Sequence, residues 1–229
     1  LSLNDSDKLT RGETALILYN ALFTPVVQAN YSSNSSILYV DSTQTVMTQY
    51  LNIHYAEGRV TANSYTSITG QKDSKETEIE VEFVKYTVKE QVYDELLGYH
   101  VNVFYREDKS KRRELLHIMA NEENKEVTID AGDILSVADD KVVYDDGVRI
   151  KTVKIPKDIY VTYNGDMCFD WTLSDLNISK GTLKILSNDG DNQADFVIVE
   201  TYTNDLVVNV SETLDKIYLK NAKPIEYLN

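Results

Sequence analysis

Glu78-Ile-Glu-Val-Glu-Phe-Val-Lys-Tyr-Thr-Val88 is the stretch that decides the fold class. As far as Phe83 it alternates strictly, placing Ile79, Val81 and Phe83 on one face and three glutamates on the other, the period of a half-buried strand. The apolar phase then moves to Val84, Tyr86 and Val88. A shift of phase in a period-two pattern predicts a bulge near Phe83.

Similar short patterns continue downstream. Gly98-Tyr-His-Val-Asn-Val-Phe-Tyr105 and Glu114–Met119 read as strands, and the basic segment between them, Arg106–Arg113, as a solvated hairpin loop. Val127–Asp130 and Ile134–Val137 read as two more. Lys141–Ile150 is a hairpin turning at Asp146-Gly147, and Ile159–Tyr163 against Met167–Trp171 is another around Asn164-Gly165. Gly181–Leu186 and Phe196–Tyr202 flank an acidic loop, and Leu206–Tyr218 begins a further pair. Short strands with turn signals every ~8–12 residues predict small sandwiches or barrels.

Upstream the pattern differs. Thr10 with Glu13 has capping-box spacing before Ala15, Leu18 and Leu22, which predicts a short amphipathic helix stopped by Pro25. Thr24–Ser42 is rich in Ser, Asn and Gln and reads as an extended connector. Thr45–Ile53 has the makings of one more short helix. The expected fold is thus mainly β: a short N-terminal helix followed by small sandwich- or barrel-like domains. The expected divisions are a helix over 1–24, a connector over 25–54, one β domain over 55–155 and another, or the start of a further repeat, over 156–229. The dip at Ile155-Pro156-Lys-Asp158 marks the inner boundary.

The 229 residues carry a net charge of −14, a field that repels nucleic acid and anionic lipid. Neither is an expected partner. Cys168 is the single cysteine, so neither an intrachain disulfide nor a cysteine metal site is available. No apolar run approaches the ~18 residues of a membrane span. The absence of an initiator Met or signal pattern at Leu1 suggests a segment of something longer.

No catalytic constellation is visible. His100 and His117 lie in strand patterns, His54 has no partner at metal-ligand spacing, and Cys168 between Met167 and Phe169 reads as a small hydrophobe. The one candidate ion site is Ser187-Asn-Asp-Gly-Asp-Asn-Gln-Ala-Asp195. There Asp189, Asp191, Gln193 and Asp195 recur at the alternate spacing of a Ca2+ loop. The same residues equally make a tight polar turn. Arg11 and Glu13 have two readings as well: a helix cap, or a charge-assisted hold on an anionic saccharide.

Leu9–Leu22 resembles the closing helix of a bacterial S-layer homology module, whose hallmark is a Thr-Arg-Ala-Glu-like sequence before an apolar helix; Gly12 stands in place of the usual Ala. Ala56–Asn63, Leu97–Glu107, Ile155–Gly165 and Gly181–Asp191 are similar to the regions that follow such modules in surface proteins of Clostridia and related Firmicutes. The resemblance implies a non-enzymatic structural protein of the cell surface or wall, an S-layer, lattice or stalk segment acting by self-association or display. Wall-polysaccharide binding would come through the longer parent chain, because the grooves of such modules form between repeats. Two rival expectations are a subunit of a bacteriophage particle or secreted filament, and a carbohydrate-binding module using Trp171 and surface tyrosines.

Overall fold

Glu82 and Phe83 both have left-handed backbone, with φ of 49° and 62°, and Val81 pairs with Val84 across them. A two-residue turn of this hand matches the twist of the strands it joins. The expected bulge is therefore a hairpin turn, and the apolar phase changes at Phe83 because the chain changes strand there. Asp139-Asp140 (53° and 56°) and Asn164-Gly165 (52° and 88°) make the same kind of turn.

The computed structural model describes residues 8–32, 35–70, 77–89 and 93–226. It is mainly β, as the sequence predicts, and divides into two compact units, Leu1–Ser67 with Lys72–Glu122 and Ile68–Gln71 with Glu123–Asn229.

In the first unit, helix α1 (Arg11–Leu22) leads into strands β1 (Pro25–Ser32) and β2 (Ser35–Thr45), then α2 (Val46–Leu51) and β3 (His54–Ala62). The predicted connector is thus an antiparallel hairpin, β1 against β2. Its Ser and Asn content hides an alternation that the backbone uses. Helix α2 lies where expected, capped by Thr45. Helix α1 buries none of its residues, so the expected amphipathic face is not packed: Leu16, Ile17, Leu18 and Tyr19 are all exposed. Its hold on the unit is Phe23, whose ring lies 5.5 Å from Tyr55 and 6.4 Å from Phe104.

Strands β4 (Glu78–Val81), β5 (Val84–Thr87), β6 (His100–Glu107) and β7 (Arg113–Ala120) close with β3 into a five-stranded barrel, in the order β3-β4-β5-β7-β6. All contacts are antiparallel except β5 with β7, a parallel contact at Thr87 and Glu114. Val60, Ile79, Val81, Tyr86, Val101 and Val103 are buried in it, one face of each strand, as the alternation requires.

The second unit runs through β8 (Lys125–Asp130), β9 (Ile134–Ala138), β10 (Lys141–Asp145), β11 (Ile150–Lys154), β12 (Tyr160–Tyr163), β13 (Asp166–Met167), β14 (Gly181–Ser187) and β15 (Phe196–Thr201). One sheet has the order β13-β12-β15-β14-β8, the other β11-β10-β9. They share a core that includes Ile129, Val142, Tyr144, Val161, Leu183 and Val197. Ile155 is 1% exposed inside that core. The composition dip beside it is an interior feature of the second unit, and the units divide at Glu122. The strand expected over Met167–Trp171 ends at Met167, after which Trp171 turns to pack on the core. A separate small sheet, β16 (Val207–Ser211), β17 (Lys216–Leu219) and β18 (Ile225–Glu226), follows and has no buried residue.

Candidate interaction surface

The start of α1 forms the capping box that its sequence predicts. Glu13 N–H donates to Thr10 Oγ1 at 3.2 Å, while Thr10 N–H and Oγ1–H donate to Glu13 Oε2 at 2.8 and 2.9 Å. The Thr10 backbone N–H, with help from its hydroxyl, holds the Glu13 carboxyl below its usual range. Glu13 is therefore engaged as a cap, and Arg11 stands exposed beside it with no ion pair among the described residues. The arrangement satisfies the helix end.

The acidic loop is also organised by its own hydrogen bonds. Asp189 Oδ1 accepts from Asp191 N–H at 3.1 Å and from Ser187 Oγ at 3.1 Å. Asp191 accepts from Gln193 at both oxygens, 2.7 Å each, and these bonds hold its carboxyl below the usual range, the side-chain amide first. Asp195 Oδ2 instead caps Asn188 N–H at 2.7 Å, and the Lys125 ammonium donates to the Gly190 carbonyl. Asp189, Asp191, Gln193 and Asp195 are near in sequence, yet the structure does not gather them into an ion cage. Among the described residues no group of three or more His, Cys, Asp or Glu is placed to hold a metal ion. Carboxylates that accept backbone N–H bonds make the polar turn.

Arg106–Arg113 carries five cations against two anions; the loop proper is Asp108–Arg112, while Arg106 and Glu107 end β6 and Arg113 begins β7, where Glu107 pairs with Arg113. Asp108 Oδ1 accepts from Ser110 N–H and Arg112 N–H, Lys111 pairs with Glu107 at 2.6 Å and Arg112 with Asp108 at 3.1 Å. Beside it Asn52, Thr87, Lys89 and Glu114 help to line a hollow of about 390 Å3. Arg113 lies over the Tyr86 and Tyr105 rings at 5.8 and 5.2 Å. His54 stacks on Tyr105 at 5.3 Å. In the second unit Trp171, Asp140, Lys157, Thr172, Ile155 and Leu173 line a smaller hollow of about 220 Å3.

The feature that sequence reasoning missed is apolar. From Leu9 to Ile53 the chain has only three charged residues, Arg11, Glu13 and Asp41, and it exposes Leu9, Leu16, Leu18, Val27, Leu38 and Val40. Single exposed hydrophobes are ordinary; these fall together in a charge-poor stretch of sequence, on α1 and on the β1–β2 hairpin. The signal available was the alternation Val27-Gln-Ala29 and Leu38-Tyr-Val40. No family model, no curated protein and no solved structure matches this chain.

Proposed function

We propose that this chain is a non-enzymatic structural protein of the bacterial cell surface, a stalk or lattice segment that works by associating with copies of itself or with neighbouring surface proteins. The observation that carries this reading is the exposed, charge-poor apolar surface of α1 and the β1–β2 hairpin. An acidic chain is kept apart from its copies by charge over most of its surface, so this stretch is where contact costs least. The surface location rests on the resemblance of Leu9–Leu22 to the closing helix of an S-layer homology module. By the same resemblance, wall polysaccharide would be bound through a longer parent chain. Sedimentation equilibrium across a concentration series, with electron microscopy of the concentrated protein, tests the reading. Reversible association is expected, and a strictly monomeric chain at every concentration overturns it.

A second reading has one observation in its favour. The Trp171 hollow combines an indole wall with Asp140, Lys157 and the Thr172 hydroxyl, the mixture a saccharide subsite uses. A glycan array without signal above background removes that reading.

A further inference from the structure

The hollow beside the β6–β7 loop is opposite in charge to the chain that carries it. The protein has 37 Asp and Glu against 23 Lys and Arg, yet Lys89, Arg106, Arg112 and Arg113 all line this one space of about 390 Å3. Three carboxylates answer them. Glu107 takes Lys111 at 2.6 Å and Arg113 at 3.5 Å, Asp108 takes Arg112 at 3.1 Å, and Glu114 takes Lys89. The Arg106 guanidinium has neither an ion pair nor a hydrogen bond among the described residues. Five cations therefore share three anions there, a surplus of two positive charges.

The lining is also held in place. Arg113 lies over the Tyr86 and Tyr105 rings at 5.8 and 5.2 Å, and Tyr86 is itself buried in the barrel. A guanidinium fixed in this way gives up little freedom when it meets a ligand. Asp108 sets the course of the loop by accepting the Ser110 and Arg112 N–H groups. The Asn52 amide and the Thr87 hydroxyl complete the wall, and neither has a hydrogen-bond partner among the described residues. They add neutral donors to the charged ones.

We infer that this hollow binds a phosphate group, as the free ion or as the terminal group of a small ester. Guanidinium groups present their donors in a planar fork that matches phosphate oxygens. The surplus of two charges balances the nearly two negative charges of such a group near pH 7, whereas a carboxylate would balance only one. The volume lies at the small end of ligand pockets. Size also excludes a long polyanion, which would overrun the acidic surface around the hollow. A small ion escapes that repulsion, because the field of the distant carboxylates fades over about 8 Å at physiological salt. The site is independent of the self-association proposed above.

An amide NMR titration of the full chain, with chloride replaced at constant ionic strength, tests the site. Inorganic phosphate up to about 10 mM is expected to give saturable shifts confined to Asn52, Thr87, Lys89 and the Arg106–Glu114 segment. Glycerol phosphate is expected to move the same amides; tighter binding than the free ion assigns the site to an ester, and equal binding assigns it to the ion. Dimethyl phosphate, with one charge and two capped oxygens, is expected to bind at least about tenfold more weakly. Arg106→Gln should weaken phosphate binding by about fivefold or more while leaving the melting temperature unchanged. Lys109→Gln, on the same loop but not lining the hollow, should change it less than about twofold. Shifts that do not saturate, dimethyl phosphate binding as well as phosphate, or an affinity indifferent to Arg106 would each overturn the inference.

Discussion

Glu82 closes over Gly58: its Oε1 accepts the Arg59 N–H at 2.8 Å, and its own N–H donates to the Arg59 carbonyl at 3.0 Å. A Cβ at position 58 would fall on the Glu82 Cγ. Gly58→Ala is therefore expected to displace that side chain and cost about 1–3 kcal/mol in urea unfolding. Adding Glu82→Ala recovers part of the loss, since the collision is with a side chain. Two additive losses would argue that Gly58 serves some other purpose.

Phe83 makes the opposite prediction. It holds φ at 62° while 56% exposed, so its left-handed backbone is a cost that its ring does little to offset. Phe83→Gly is expected to raise the melting temperature by a small margin, a gain of roughly 0.5 kcal/mol. A clear fall would mean that the exposed ring packs on something in solution.

Gly181, with φ at 112°, faces backbone rather than side chain. A Cβ there would overlap the Glu200 carbonyl oxygen and crowd the Thr201 Cα at 2.8 Å, within the β14–β15 ladder where Gly181 pairs with Thr201. Neither atom can rotate away. Gly181→Ala is expected to cost more than about 3 kcal/mol or to abolish folding, as read by denaturant midpoint or soluble yield.

Acid sensitivity should trace in part to Asp146. The Lys151 ammonium at 2.6 Å, then the backbone N–H groups of Arg149 and Val148, hold its carboxyl well below the usual carboxylate range. A folded-state pKa below the unfolded ~3.9 stabilises the fold above that value, and the contribution is lost as pH falls through the folded pKa. Asp146→Asn should lower the urea midpoint at neutral pH. The gap between variant and wild type should hold above about pH 4 and narrow progressively below it, closing only as pH falls through the folded pKa. A gap that is constant with pH refutes the assignment.

The acidic loop offers a test with added ion. Lys125 already supplies a positive charge at the Gly190 carbonyl, so about 5 mM Ca2+, enough to fill even a weak extracellular-type site, should leave the melting temperature unchanged. Lys125→Met should lower it. A saturable rise with Ca2+ would restore the ion reading of Asp189, Asp191 and Asp195.

Local chemistry was legible where a few neighbouring residues settle it. Asp146-Gly147 and Asn164-Gly165 announce their turns because Gly and Asn accept positive φ, and Thr10 with Glu13 announces its cap three residues apart. Glu82-Phe83 carries no such signal, since neither residue favours the left-handed region, and the hairpin there was read as a bulge. The division at Glu122 was hidden because it depends on distant pairing: β8 joins β14, more than fifty residues later. The acidic loop turns on the same kind of distant contact, because Lys125, which places its ammonium at the Gly190 carbonyl, lies far from it in sequence. The hairpin face was missed because Ser and Asn around residues 30–36 obscure the alternation on either side.

The barrel's closure has a mechanical side. Among the described residues its seam between β5 and β7 is a single parallel pairing, Thr87 with Glu114, flanked by the Lys89–Glu114 ion pair, whereas β3 and β6 are zipped over six pairs. What keeps the thinly paired side shut is grease rather than stitching: Ile79, Val81 and Tyr86 of the β4–β5 hairpin are sunk in the interior, and any parting of the seam would have to wet all three.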